Sequence, residues 1–130
     1  MPAAALHAPI LIVGGGAGGI SVAARLKRAG HSVTVVEPSA VHYFQPAFTY
    51  VGGSLEPAKS TVHAEASVMP RGMRWIRSSV SGVNPDAGTV ALDDGREVAY
   101  ETLVLATGLQ LDFEAVPGLP EALLTSSASS

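Results

Sequence analysis

Residues 9–37, PILIVGGGAGGISVAARLKRAGHSVTVVE, decide the fold of this chain. Residues 9–13 are a short unbroken apolar run, as a strand buried on both faces requires. Gly14, Gly16 and Gly19 follow as G-x-G-x-x-G. From Ala17 to Arg28, alanines and branched residues alternate with Arg25, Lys27 and Arg28 at helical spacing, and Gly30 then supplies a stop. The cations fall in the last turn, where they oppose the helix dipole. Residues 32–36 form a second apolar strand, and Glu37 stands at its end, 23 residues after Gly14.

Each part has a physical job. Gly14 lets the chain turn tightly out of the strand, Gly16 removes a side chain where a pyrophosphate must approach the backbone, and Gly19 lets the helix pack closely on the sheet. The helix start offers unpaired N–H groups and about half a positive charge to phosphate. Glu37 can accept hydrogen bonds from a ribose diol, and an acid there disfavours a 2′-phosphate. A lone glycine motif is weak evidence, but here strand, helix and acid stand in the context it requires. The unit therefore predicts an adenine dinucleotide, FAD or NAD rather than NADP.

The rest of the composition narrows the class. With 130 residues the chain is one domain at most, and 47% hydrophobic against 15% charged residues with 14 glycines suits an α/β domain with buried parallel strands. A net charge of −3 gives no electrostatic case for nucleic acid. No apolar run has the length of a membrane span, and MPAAALHAP carries neither a basic region nor a long apolar core, so no secretory signal is expected. There is no cysteine, which removes disulfides, thiolate metal sites and thiol catalysis from these residues.

Residues 1–8 read as a short, loosely held leader. Residues 38–60 are rich in Pro, Gly and aromatics without periodicity, an ordered excursion expected to contain a short helix. A weak helical pattern continues over 61–69, ended by Pro70. Strands are predicted over 73–78 and 79–83, a turn at 84–88, a strand at Thr89–Leu92, a hairpin turn at 93–95 and a return strand over 97–100. Residues 102–106 (TLVLA) predict a third buried strand, closed by Thr107 and Gly108. Residues 109–119 read as irregular, 121–124 as a helical turn, and the tail 125–130 (TSSASS) as disordered. The expected class is thus α/β: a Rossmann-like domain over 1–124, with a parallel sheet and a small inserted antiparallel β-meander. An NAD domain would continue with further βα units. A meander placed before a strand that ends in Ala-Thr-Gly points instead to FAD.

With these pieces in place, ILIVGGGAGGISVAARL, VTVVEPSAVHYFQPAFTYVGG, WIRSSVSGVNPDAGTVALDDG and YETLVLATGLQLDFEAVPGLPEAL, the chain resembles the N-terminal part of sulfide:quinone oxidoreductases, within the FAD-dependent disulfide-reductase-like flavoproteins. The resemblance covers residues 8–124. Its narrowest part, HYFQPAFTYVGG, looks like the mitochondrial-type branch. Type II NADH dehydrogenases have a related FQP loop that differs afterwards, and flavocytochrome sulfide dehydrogenases carry a cysteine in this loop that is missing here.

The resemblance implies that Gly14, Gly16, Ala17 and Gly19 hold the FAD pyrophosphate and Glu37 the adenosine ribose. It further implies that Val80 or Ser81 lies beside the adenine, that Ala106, Thr107 and Gly108 approach the FAD from the strand end, and that Gln45 and Pro46 pass close to the isoalloxazine or ribityl chain. Members oxidise sulfide with a redox cysteine pair beside the flavin and pass electrons to a quinone. Relative to that family this chain is expected to be incomplete, lacking the cysteines, the returning FAD segment and a membrane-facing C-terminal part. No catalytic residue is expected in it. Sulfide, quinone and membrane contact belong to a full-length enzyme, either cytoplasmic or peripheral on the inner face of the membrane. Alternative readings are an FAD-dependent NADH:quinone oxidoreductase and a non-catalytic dinucleotide-binding module. An exposed sheet edge would favour a homodimer.

Other residues read more plainly. His42 is expected to be a hydrogen-bonded structural residue of the loop and Trp75 a core residue. Tyr43 and Phe44 either wall the cofactor or pack the excursion onto the sheet. His7, His31 and His63 lack metal-ligand spacing, so no metal is expected. Arg71, Arg74 and Arg77 read as a solvated face, and Asp112 and Glu114 show no partners for acid–base work.

Overall fold

The strand that opens the glycine motif is the centre of the sheet. In a computed structural model, which describes residues 6–122, β1 (Leu6–Val13) pairs in parallel with β2 (Val33–Val36) on one side and β8 (Glu97–Leu105) on the other. Between β1 and β2 lies α1 (Ala17–Arg28). Then come β3 (Val41–Tyr43), α2 (Phe48–Gly52), β4 (Val62–Ala64), α3 (Glu65–Val68), β5 (Arg74–Ile76), β6 (Val80–Asn84) and β7 (Thr89–Leu92). Among the described residues the main sheet has the order β5-β2-β1-β8-β7-β6, and β3 and β4 form a separate antiparallel pair.

The core follows from the unbroken apolar strands. Leu11, Ile12, Val35, Val36, Val90 and Val98 are all but excluded from solvent. On one face Ile12, Val33 and Val35 meet Ala23 of α1, with Ile10, Val22, Leu26 and Val104 around them. On the other face Leu11, Val36 and Ile76 meet Val90, Leu92 and Val98 of the antiparallel strands. Burying each such aliphatic side chain contributes about 1.5–3 kcal/mol.

Four expectations need correction. The supposed leader is partly strand: β1 starts at Leu6, and His7 and Ala8 stand opposite Ala99 and Tyr100 of β8. Residues 1–5 lie outside the described residues, as do the tail 125–130 and the end of the helical turn, whose described part is helical at 119–122. The helix expected over 61–69 is interrupted, because residues 62–64 pair with β3 as β4 and only Glu65–Val68 turn helical. The return strand and the TLVLA strand are one strand, β8, which pairs with β7 at Glu97, Val98 and Ala99 and with β1 along its length. The antiparallel meander expected before the Ala-Thr-Gly strand is formed by β6, β7 and the start of β8, and it continues the main sheet. Finally, TLVLA is only half-buried, and Leu105 is 62% exposed, because β7 ends its pairing at Ala99 and the outer edge of β8 beyond it is uncovered by described residues.

Candidate functional site

At the carboxyl ends of β1, β2 and β8 the sheet opens into a cleft of about 260 Å³, lined by residues that include Val13, Gly14, Glu37, Val80 and Thr107. The turn after β1 shapes its floor. Gly14 has φ +107°, and a Cβ there would sit 2.2 Å from the Ala106 carbonyl oxygen. Its N–H donates to the Val36 oxygen at 2.9 Å, while the Ala106 N–H donates to the Val13 oxygen at 2.8 Å. A Cβ on Gly19 would lie 1.8 Å from the Gly14 oxygen, so α1 can begin directly against the turn only with glycine there. These contacts press three backbones together at one point.

Gly16 behaves differently. A Cβ there would meet nothing within 4 Å. Gly16 is the N-cap of α1 and Ala17 its first residue; no side chain caps this end, and no acid occupies its first turn. The first-turn N–H groups therefore have no side-chain cap, and no acid of the helix itself offsets their partial positive charge, which favours an anion there. The residues present fit a pyrophosphate.

Glu37 stands beyond the end of β2, half-buried beside this turn. One carboxylate oxygen accepts the Gly15 N–H at 2.7 Å and the other the Ser39 N–H at 2.8 Å. These two donors hold the carboxylate in place and leave it lone pairs for a further donor. The Glu37 backbone is fixed in turn: its N–H donates to the Ile76 oxygen, and its own carbonyl accepts the Trp75 indole N–H at 2.9 Å. Trp75 is accordingly half-buried with its polar edge satisfied, tying β5 to the site.

The structure brings together Gly14, Glu37, Val80 and Thr107 at the cleft, with Gly16, Ala17 and Gly19 in the adjoining helix start. Ser81 is exposed, and its hydroxyl donates to the Ala91 oxygen at 3.3 Å rather than lining the cleft. Gly108 follows Thr107 with φ +74°. Gln45 and Pro46 lie elsewhere, in a 3-10 turn of the excursion. Near them Tyr43, Phe48, Val51 and Val62 line a second cavity of about 230 Å³. Tyr43 and Phe44 are more than half exposed and are not among the residues lining the first cleft.

One residue at this site has no sequence prediction. Glu65, the first residue of α3, is 1% exposed. Its Oε2 lies 3.4 Å from His42 Nδ1, and its Oε1 has no hydrogen-bond partner. A Cβ on Gly15 would come within 2.7 Å of both Glu65 Oε1 and Glu37 Cγ, so the two acidic side chains crowd the same glycine. Burial raises the Glu65 carboxyl above its ordinary range; His42 opposes this and the charge of Glu37 adds to it. His42 thus has a polar partner, as expected. A solitary acid among small and apolar residues (HAEASVM) is the signal that marks Glu65 in the sequence. Among the described residues no cluster of His, Asp or Glu has the arrangement of a metal site, and no helix is long and apolar enough to cross a membrane.

Comparison with known proteins agrees with this geometry. The pattern of the pyridine nucleotide-disulphide oxidoreductase family matches residues 8–129. The mitochondrial sulfide:quinone oxidoreductase of Mus musculus is 43% identical over 88% of this chain and 26% of its own length. The protein of the same name from Dictyostelium discoideum is 42% identical over the same shares. Among solved structures, the sulfide:quinone oxidoreductase of Aquifex aeolicus superposes with a TM-score of 0.73 at 26% identity, over 90% of this chain and 27% of that one. The chain spans about a quarter of the length of these relatives.

Proposed function

This chain belongs to the pyridine nucleotide-disulphide oxidoreductase family, and on that premise we propose that it is the FAD-holding part of a sulfide:quinone-type oxidoreductase. The observation that carries this reading is the convergence of Gly14, Glu37, Val80 and Thr107 on one cleft beside an uncapped helix start with open space at Gly16. The N–H groups at Gly16 and Ala17 receive the pyrophosphate, and the Glu37 carboxylate, already aligned by Gly15 and Ser39, accepts the ribose hydroxyls. Val80 borders the adenine, and Ala106, Thr107 and Gly108 close the cleft from β8. Gln45 and Pro46 reach the flavin end of the cofactor. Bound FAD supplies the two-electron carrier; the chain positions it and keeps the adenosine end dry.

With no cysteine in the sequence, thiol chemistry on sulfide is carried by residues of the whole protein outside this stretch. Sulfide as donor and quinone as acceptor are therefore proposals for the whole protein, supported by the names of the relatives. Peripheral residence at a membrane face and association through an exposed sheet edge complete the reading.

The test is titration of the chain with FAD, following quenching of flavin fluorescence. Saturable binding that weakens in Gly16→Val supports the reading, and no binding overturns it. In the whole protein, bleaching of the flavin by sulfide supports the sulfide:quinone assignment. Bleaching by NADH alone assigns the NADH:quinone alternative, and no bleaching by either leaves a non-catalytic binding module.

A further inference from the structure

The excursion and the glycine turn meet at a buried acid. Glu65 reaches the turn because its N–H donates to the Ala40 oxygen at 2.9 Å and β3 pairs with β4, which together fold the loop back onto the end of β2. The result is a layered arrangement of Gly15, Glu37, Glu65 and His42. Glu65 Oε1 and Glu37 Cγ flank the point where a Gly15 Cβ would be. On its far side Glu65 faces His42, whose side chain is 12% exposed. His63, the register partner of His42 on β4, is exposed.

Two negative charges cannot be held cheaply at this glycine. A buried carboxylate with an oxygen that no donor faces is far less favourable than a neutral acid, and a second carboxylate alongside adds to this. The 3.4 Å separation from His42 is longer than the roughly 2.7–2.9 Å of a strong charge-assisted hydrogen bond, so the imidazole alone does not compensate a full charge on Glu65. Either proton placement, on Glu65 or on His42, leaves the pair with no net charge.

We propose that Glu65 and His42 are positioning residues that together hold one proton, so that the pair adds no net charge to that of Glu37 at Gly15, where the dinucleotide pyrophosphate binds. Because the two groups face each other, the proton is assigned to the pair rather than to either residue alone. Loss of that proton places an uncompensated carboxylate behind the turn, where it repels the incoming phosphates and opposes the field of the helix start. Cofactor affinity then falls as pH rises. The same proton acts on folding: a carboxyl raised by burial contributes stability that is present at low pH and is lost as pH rises through its folded-state value.

This inference rests on the FAD-binding reading, and the experiment separates the two. FAD is titrated into the 130-residue chain from mildly acidic to mildly alkaline pH, and the urea midpoint of the ligand-free chain is followed over the same range. In the wild type FAD affinity is expected to fall by up to about tenfold per pH unit above the pair's titration. Glu65→Gln, neutral at every pH, is expected to bind FAD with a flat profile over that range. His42→Gln removes one of the two homes of the proton, so the fall should begin at lower pH. A flat wild-type profile, or a fall retained in Glu65→Gln, overturns the proposal. Absence of FAD binding at every pH overturns the FAD reading instead, and the proton is then read from stability alone. There, a wild-type midpoint that falls with pH while that of Glu65→Gln does not supports the shared proton, and parallel profiles overturn it.

Discussion

The parallel strands and the excursion that follows them use apolar residues in opposite ways. Leu11, Ile12, Val35 and Val36 are at most 1% exposed, whereas Tyr43, Phe44, Phe48, Tyr50, Leu55 and Val62 are 42–74% exposed. The first group lies in strands that pair with each other and lie under α1, so each side chain finds a face to bury. Of the second, Tyr43 and Val62 lie on the β3–β4 pair, Phe48 and Tyr50 on the short α2, and Phe44 and Leu55 in the connections beside them, all outside the main sheet. The lesson is that the glycine unit organises its own packing, while the excursion is held by backbone bonds at its base (Phe44 N–H to the Thr61 oxygen at 2.8 Å) and by the buried Glu65.

That contrast can be broken most severely in the sheet. Leu11→Ala is expected to cost about 2–5 kcal/mol in urea unfolding, since it empties a fully packed site. Leu55→Ala, at 74% exposure, should change stability by less than about 0.5 kcal/mol. Equal losses at the two positions would erase the distinction between the regions.

A smaller effect sharpens it within the turn. Gly14→Ala brings a Cβ against the Ala106 carbonyl at a positive φ and should destabilise by about 1–3 kcal/mol. Gly16→Ala meets open space, so its unfolding midpoint should stay close to that of the wild type, within the roughly 1 kcal/mol that separates glycine from alanine intrinsically. Its measurable consequence is weaker FAD binding. A Gly16 variant that unfolds as easily as the Gly14 variant would show that both glycines serve packing alone.

The next is a loss of binding without a loss of fold. Glu37→Gln keeps one acceptor oxygen but removes the charge, and should weaken FAD by about tenfold, about 1.4 kcal/mol, in fluorescence titration. The smallest effect lies outside both regions, in the β7–β8 turn. There the Arg96 guanidinium beside Asp94 lowers its carboxyl to about 2. Any stability this contributes is present above the ordinary aspartate range and is lost as pH falls through the folded-state value. Proton-detected titration of Asp94 should move up to the ordinary range in Arg96→Gln.

How much of this is legible in the sequence depends on the range over which the physics acts. β1, α1 and β2 are readable because continuous apolar runs, helical spacing and three glycines act over a few residues. The helix expected over 61–69 fails because β4 forms only through partners 19 to 23 residues away in β3, and that pairing outweighs a weak local propensity. β8 reads as two strands because the turn from antiparallel to parallel neighbours leaves no mark in its own residues.

The sequence by itself determined the phosphate turn, its acid Glu37 and the strands around them, since these depend on local backbone freedom, periodicity and charge. Only the tertiary structure decided what surrounds that acid. The fold closes Ala106 onto Gly14, turns Ser81 away and leaves the excursion's aromatics open. It also carries Glu65, 28 residues beyond Glu37, back against the same glycine, because the β3–β4 pairing returns the chain to the end of β2.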